Sequence, residues 1–336
     1  MNYRIFLATL ALGLSLLVSG CSDNSSSPEG SKYNQRKWSF QVSKEDLKEA
    51  RDKFQTKIVD TSFKPDGTPD IPPKGIFDLI TYSAKDGQMA AYLTPNPGDG
   101  KKHPAIIWIH GGYGGIGDWF WESAEKSNDQ SGRALREAGI VMMVPSFRGE
   151  NANPGKYEMF YGEINDLEAA RQYLASLPYV DPDRIYLMGH STGGTTVLLG
   201  NEYSKGFRAA FSLGGVPDLK LRLEAGRMMV AVPFDQTNPK EFDLRSPRTY
   251  ITSLKSPTFY FEGAENYWQE FNEIEEVAKA NNVPFRAFRI DGADHFNIVH
   301  PVTQLVAKKI LQDTTEKINI QFTKEDIQWI KSNVSK

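Results

Sequence analysis

One cysteine, Cys21, is present in the whole 336-residue chain, so no internal disulfide can form and a multi-cysteine zinc site is excluded. There is no surplus of positive charge either. Thirty-nine Lys and Arg stand against 42 Asp and Glu, net −3, which leaves nothing to neutralise a phosphate backbone, so nucleic acid is not an expected partner. Histidine is scarce: the five, at 103, 110, 190, 295 and 300, are the only candidates for imidazole chemistry. No internal repeat is visible. With 40% hydrophobic and 24% charged residues, the chain is none of a disordered polymer, a collagen, a coiled coil or a multi-span membrane protein.

What is present begins with the leader. Arg4 precedes an apolar run from Ile5 to Val18 that ends in the small residues Ser19 and Gly20. The run is shorter than the ~20 residues of a spanning helix and has the layout of a secretory signal. Val18-Ser19-Gly20-Cys21 resembles the bacterial lipobox, in which the cysteine is lipidated and becomes the first mature residue. Ser22, in place of an aspartate, then implies the outer membrane in a cell that has one. The expected organisation is a lipoprotein signal peptide over 1–20, a Ser/Asn/Pro/Gly tether over 21–32, and an N-terminal extension over 33–75. The extension should hold a short helix capped near Ser43, with Leu47, Ala50 and Phe54 on one face. A C-terminal extension, 313–336, should hold another, opened by Thr323.

Between 76 and 312 the pattern is regular. Phe77–Tyr82 and Met89–Leu93 flank Lys85-Asp86-Gly87 and read as a hairpin. Continuous apolar runs follow at Ala105–Ile109, Ile140–Val144, Ile185–Met188, Ala209–Leu213, Thr258–Phe261 and Phe285–Ile290, as suits strands buried on both faces. Helical stretches separate them, the clearest being Ile164 to Leu177, stopped by Pro178. Alternation of this kind predicts an α/β fold: a mostly parallel, doubly wound sheet led by an antiparallel hairpin.

Gly189-His190-Ser191-Thr192-Gly193 lies between one of these strands and a helix. That is the context in which G-x-S-x-G forms a nucleophile elbow, with the serine hydroxyl lifted above the sheet edge. His190 neighbours the serine, but a tight elbow should point its ring elsewhere. His110-Gly111-Gly112-Tyr113-Gly114-Gly115 follows the strand Ala105–Ile109, where side-chain-free backbone can offer an N–H to an oxyanion. The donors expected are the Thr192 amide and one from Gly112 or Tyr113. A serine needs a base, and His295, in a polar loop between a late strand and the last helix, has the required chain order; His300 is its competitor. Glu262, Glu265 and Asp294 are the candidate acids, and Glu265 has the reach to orient the imidazole. No metal or organic cofactor is called for.

Together these segments resemble the α/β-hydrolase superfamily, in its prolyl oligopeptidase-like and dienelactone hydrolase-like branch. Pro145-Ser146-Phe147-Arg148-Gly149 is similar to that branch's N-x-R-G loop, and Tyr179–Ile185 to its lead-in to the nucleophile strand. Arg148 is expected to hold the scaffold. The departure is Asn266, where many relatives carry the triad aspartate. The resemblance implies a serine hydrolase. Roughly 55 residues separate Cys21 from the first strand, too few for the β-propeller of the large peptidases. The expectation is therefore a carboxylic-ester hydrolase at the cell envelope, with a prolyl oligopeptidase-like peptidase as the alternative and a non-catalytic envelope binding protein as a second. Its partners would be a small ester or short acyl or peptidyl substrate and, through Cys21, a membrane. Gly214 to Pro257 is expected to form a partial lid, with Met228, Met229, Val230, Val232 and Phe234 as its apolar underside. Trp119-Phe120-Trp121 and Tyr267-Trp268 read either as pocket walls or as core.

Overall fold

Eight strands form one sheet in the computed structural model, which describes residues 39–263 and 267–335. They are β1 (Asp78–Ala84), β2 (Gly87–Leu93), β3 (His103–Ile109), β4 (Val141–Pro145), β5 (Val180–His190), β6 (Ala210–Leu213), β7 (Thr258–Glu262) and β8 (Phe285–Arg289). Their spatial order is β1-β2-β4-β3-β5-β6-β7-β8. The β1–β2 and β2–β4 pairs are antiparallel and the rest parallel. The helices described are α1 (Leu47–Asp52), α2 (Arg133–Glu137), α3 (Glu163–Ser176), α4 (Thr192–Tyr203), α5 (Leu219–Glu224), α6 (Pro239–Asp243), α7 (Trp268–Ala280), α8 (Val299–Gln312) and α9 (Lys324–Asn333). None of them is long and apolar enough to cross a membrane.

The continuous apolar runs have a simple cause. Alternate residues of each central strand enter different cores. Ile106, Trp108, Met142, Val144, Tyr186 and Met188 pack on one face with Leu135, Val302, Val306 and Ile330 of α2, α8 and α9. Ala105, Ile107, Val141, Met143, Ile185 and Leu187 pack on the other with Leu167, Ala170, Leu174 and Val197 of α3 and α4. The Tyr179–Ile185 lead-in runs into β5 itself, with a register irregularity where β3 pairs with it.

One local expectation is corrected, and one reading left open is decided. The cap of α1 is Asp46, whose carboxylate accepts from the Lys48 and Glu49 amides, while the Ser43 amide donates to the Thr249 carbonyl at 2.7 Å. Trp119 and Phe120 stack on each other at 3.7 Å, Phe120 is fully buried, and Trp121 packs edge-on to Tyr92. Phe120 belongs to the core, Trp119 and Trp121 pack against it, and none of the three lines the cleft that holds Ser191.

The N-terminal extension and the Gly214–Pro257 segment are stitched together by buried arginines. Arg51 donates to the carbonyls of Phe160, Tyr161 and Leu244. Arg245, wholly buried, pairs with Glu241 at 2.5 Å and reaches Thr56 at 2.8 Å. A third buried arginine, Arg148, forks onto Asp166 at 2.9 and 2.7 Å and also meets Asp86 and Glu158. It braces the loop after β4 against α3, the scaffold role expected of it.

Candidate active site

Ser191 sits between β5 and α4 with φ +56° and ψ −116°, a backbone strain that a side-chain-bearing residue holds only where the surroundings over-determine it. Here they do. The Ser191 amide donates to the Leu213 carbonyl at 2.7 Å, and its carbonyl accepts from the Thr195 amide at 3.0 Å. The glycines answer a close approach of backbone: a Cβ on Gly193 would lie 2.2 Å from the Ile109 carbonyl oxygen, and one on Gly189 2.7 Å from that of Gly193. Helix α4 starts at Thr192, so its free N–H groups and positive dipole end face the nucleophile's surroundings.

Thr192 also ties the two expected oxyanion segments together, its hydroxyl donating to the Gly112 carbonyl at 2.5 Å. Behind that loop lies a small cavity of about 40 Å³, walled by His110, Tyr113, Tyr157, Glu150 and Glu163 among others. Burial raises the Glu150 carboxyl to about 8 and the Glu163 carboxyl to about 7.

His295 lines the same cleft as Ser191, Gly112 and Thr192. Its room comes from Gly214, where a Cβ would stand 2.8 Å from the ring. Burial, then the positive charge of Arg222, lower its pKa against the opposing pull of Asp294. The ring of His190, expected to point away from the chemistry, joins two loops of the cleft. One nitrogen is 3.0 Å from the Gln130 side-chain oxygen and the other 2.6 Å from the His295 carbonyl. Gln130 in turn accepts from the Gly111 amide at 3.2 Å. Desolvation takes His190 down to about 3, so it is neutral. His300 stands in α8 near Asp129, at 3.5 Å, and His103 near Asp99, at 2.9 Å, both outside the cleft.

Of the three acids, Glu265 lies outside the described residues, as does Cys21. Asp294 is spent on its own turn, accepting from the Phe296 and Asn297 amides at 2.8 Å each. Glu262 ends β7, is buried, and accepts from the Tyr260 hydroxyl. Its other oxygen stands 3.9 Å from the Cβ position over Gly214 that lies against His295.

The cleft has a volume of about 470 Å³, within the range of small-molecule sites. Tyr267 lines it, as one of its two sequence readings allows, and so do Gln130, Arg222, Arg227, Met229 and Phe296. Among those five, only Met229 carries a signal in the sequence. Met229 and Phe296 form an open rim, 74% and 48% exposed. Val232 and Phe234, expected as lid underside, are buried instead. Phe234 packs on Phe242, and its backbone bridges to Ile58. No periodic signal marks Arg222 or Arg227, because their arrival at the cleft depends on the path of the whole Gly214–Pro257 segment.

Residues 128–307 match the prolyl oligopeptidase family. An uncharacterized peptidase of Bacillus subtilis, YtmA, is 26% identical over 52% of this chain and 67% of its own. A putative carboxymethylenebutenolidase of Synechocystis is 25% identical over 65% and 84%. Among solved structures, a puromycin-hydrolyzing peptidase of Mycobacterium tuberculosis superposes with a TM-score of 0.58 at 18% identity, a likeness of fold. The match covers 72% of this chain and 40% of that one, so this chain spans well under half of that peptidase.

Proposed function

The chain belongs to the prolyl oligopeptidase family, has the α/β-hydrolase fold and is a serine hydrolase; on that premise we propose that it hydrolyses small carboxylic esters through an acyl-enzyme on Ser191. The observation that carries the reading is the strained serine at the head of α4, in one cleft with His295 and the Gly112–Thr192 pair.

In the first half-reaction Ser191 Oγ bonds to the acyl carbon while its proton passes to His295. The backbone amides of Thr192 and of Gly112 or Tyr113 receive the oxyanion. Collapse of the tetrahedral species breaks the ester C–O bond, and His295 returns the proton to the departing alkoxide. Water then repeats the sequence on the acyl-enzyme, releasing the carboxylic acid and restoring the serine. Glu265 orients His295, with Glu262 as the alternative. Burial and the charge of Arg222 lower the pKa of His295, which favours the unprotonated form that acts as a base.

The open rim of Met229 and Phe296 and the modest cleft favour a small ester. Cleavage of a peptide bond is the second reading, favoured by the family match and by the peptidase name of the Bacillus relative. The third element of the proposal is location: a lipid on Cys21 holds the enzyme to the cell envelope, a reading that rests on the leader alone.

A fluorophosphonate probe on the full chain and its Ser191→Ala variant tests the nucleophile. Labelling of the wild type only is expected, and a folded wild type that stays unlabelled would overturn the triad. Labelled chain should then cleave esters and leave amides of the same acyl group essentially intact; appreciable turnover of the amides would favour the peptidase.

A further inference from the structure

Two guanidinium groups, Arg222 and Arg227, line the cleft that holds Ser191 and His295, and no carboxylate among the described residues lines it with them. Among the other buried arginines, Arg51 is held by backbone carbonyls alone, and several more are neutralised by carboxylates. Arg148 meets Asp166, Asp86 and Glu158, Arg245 meets Glu241, and Arg208 meets Asp313. Arg222 and Arg227 make no ion pair among the described residues. Arg222 is held in place by a neutral contact, Nη1 donating to the Tyr267 hydroxyl at 3.0 Å, and its Nε is buried with no acceptor. A buried donor without an acceptor is costly in a folded protein and calls for an explanation, though the Nε atoms of Arg133, Arg136 and Arg184, outside the cleft, share that state.

The position of Arg222 matters as much as its charge. It opposes the effect of burial on the Tyr113 hydroxyl and adds to the effect of burial on His295. It therefore faces the base and the oxyanion loop from α5 at once. Tyr267, Phe296 and Met229 give the same cleft apolar walls.

We propose that this cleft selects substrates that carry a carboxylate near the scissile acyl bond, gripped by Arg222 and Arg227, with the intervening carbon chain against Met229 and Phe296. The proposal rests on Ser191 being the nucleophile of the cleft. Guanidinium suits the task because its planar fork binds a carboxylate through two parallel N–H groups. The charge also bears on the chemistry. When His295 takes the serine proton it becomes a cation facing Arg222, and a bound carboxylate cancels that opposition. A substrate of this class thus gains in turnover as well as in binding, since the compensation is greatest in the transition state.

The test uses the full chain and matched esters. Mono-4-methylumbelliferyl adipate is set against 4-methylumbelliferyl hexanoate, with the charge on the acyl side. The 4-carboxyphenyl hexanoate and phenyl hexanoate pair puts it on the leaving group. Ser191→Ala serves as the background for each. An advantage in kcat/KM of about tenfold or more for the charged member of at least one pair is expected, a usual size for a charge-assisted contact. Arg222→Gln and Arg227→Gln should each shrink that ratio, and Arg222→Lys should restore part of it. A chain that labels at Ser191 and prefers the neutral ester in both pairs, or shows no preference, overturns the substrate class alone. A ratio that persists in both arginine variants overturns the assignment to these residues. A folded chain that neither labels nor cleaves any of the four overturns the serine-nucleophile reading, and the substrate class falls with it.

Discussion

The elbow around Ser191 and the tip of the insertion around Arg227 border the same cleft, and they are built on opposite principles. At the elbow nearly every atom is committed. Helix α4 is almost wholly buried, the serine's amide and carbonyl are both hydrogen-bonded, and the flanking glycines leave no room for a methyl group. At the tip, residues 224–227 are exposed and Met229 is 74% exposed. Below the tip the insertion becomes core again, at Val232 and Phe234. Reaction chemistry needs atoms held to a fraction of an ångström and is therefore built from buried backbone. Selection among substrates needs only side chains of the right charge and shape, and those are presented from a loosely held segment anchored at its base.

The sharpest way to break this comparison is to add one methyl group to each region. Gly193→Ala forces a Cβ to 2.2 Å from the Ile109 carbonyl, so the elbow must move. Turnover should fall by roughly a hundredfold or more, because a shift of about 1 Å at reacting atoms costs that much. Gly226→Ala meets nothing within 4 Å and suffers only its positive φ of +66°, so a loss of about 1 kcal/mol in stability is expected with turnover retained. Comparable activity losses in the two variants would show that the elbow is no more committed than the tip.

A second test concerns the acid. Glu265→Gln should lower kcat by roughly ten-thousandfold, the size seen when a triad carboxylate is neutralised. Glu262→Gln should cost far less turnover. If the losses are interchanged, Glu262 orients His295. The measurement is steady-state kcat on folded variants.

The smallest effect is in pH. Burial and Arg222 hold His295 below the ordinary histidine value of about 6.5, so the acid limb of kcat/KM should have its midpoint below pH ~6.5. Arg222→Gln removes one of the two causes and should move that midpoint upward, toward the ordinary value; Asp294, the neutral His190 and Glu262 are titratable side chains near the ring among the described residues. The sign for stability is fixed by the same shift. A histidine whose folded pKa is depressed binds its proton more weakly than the unfolded chain does, so the fold loses stability as pH falls below ~6.5. An acid limb centred at or above 6.5 would show that neither burial nor Arg222 governs the base.

Much of the fold and of the site is legible in the amino-acid sequence. Strand–helix alternation places Ser191 at a strand end, and the glycine spacing makes the turn tight enough to hold it there. His295 follows from chain order among only five histidines. Legibility ends where long-range packing decides. Trp119 and Phe120 have the composition of a pocket wall, yet they stack on each other, Phe120 within the core and Trp119 against it. Phe234 has that of a lid, yet it is paired to the N-terminal extension through Ile58. Ser43 has that of a helix cap, yet its amide is drawn to Thr249 and Asp46 caps instead.

The sequence by itself determined the sheet and the elbow and singled out Ser191 and His295, which share one cleft, because each depends on local periodicity, glycine at a crowded turn or order along the chain. Only the tertiary structure decided what surrounds them: His190 spanning from Gln130 to the His295 loop, and Arg222 facing the base from α5. Those contacts join residues 60 and 105 positions apart or come from an insertion without a repeating pattern. No local property of a chain encodes which distant side chain its fold brings to a cleft.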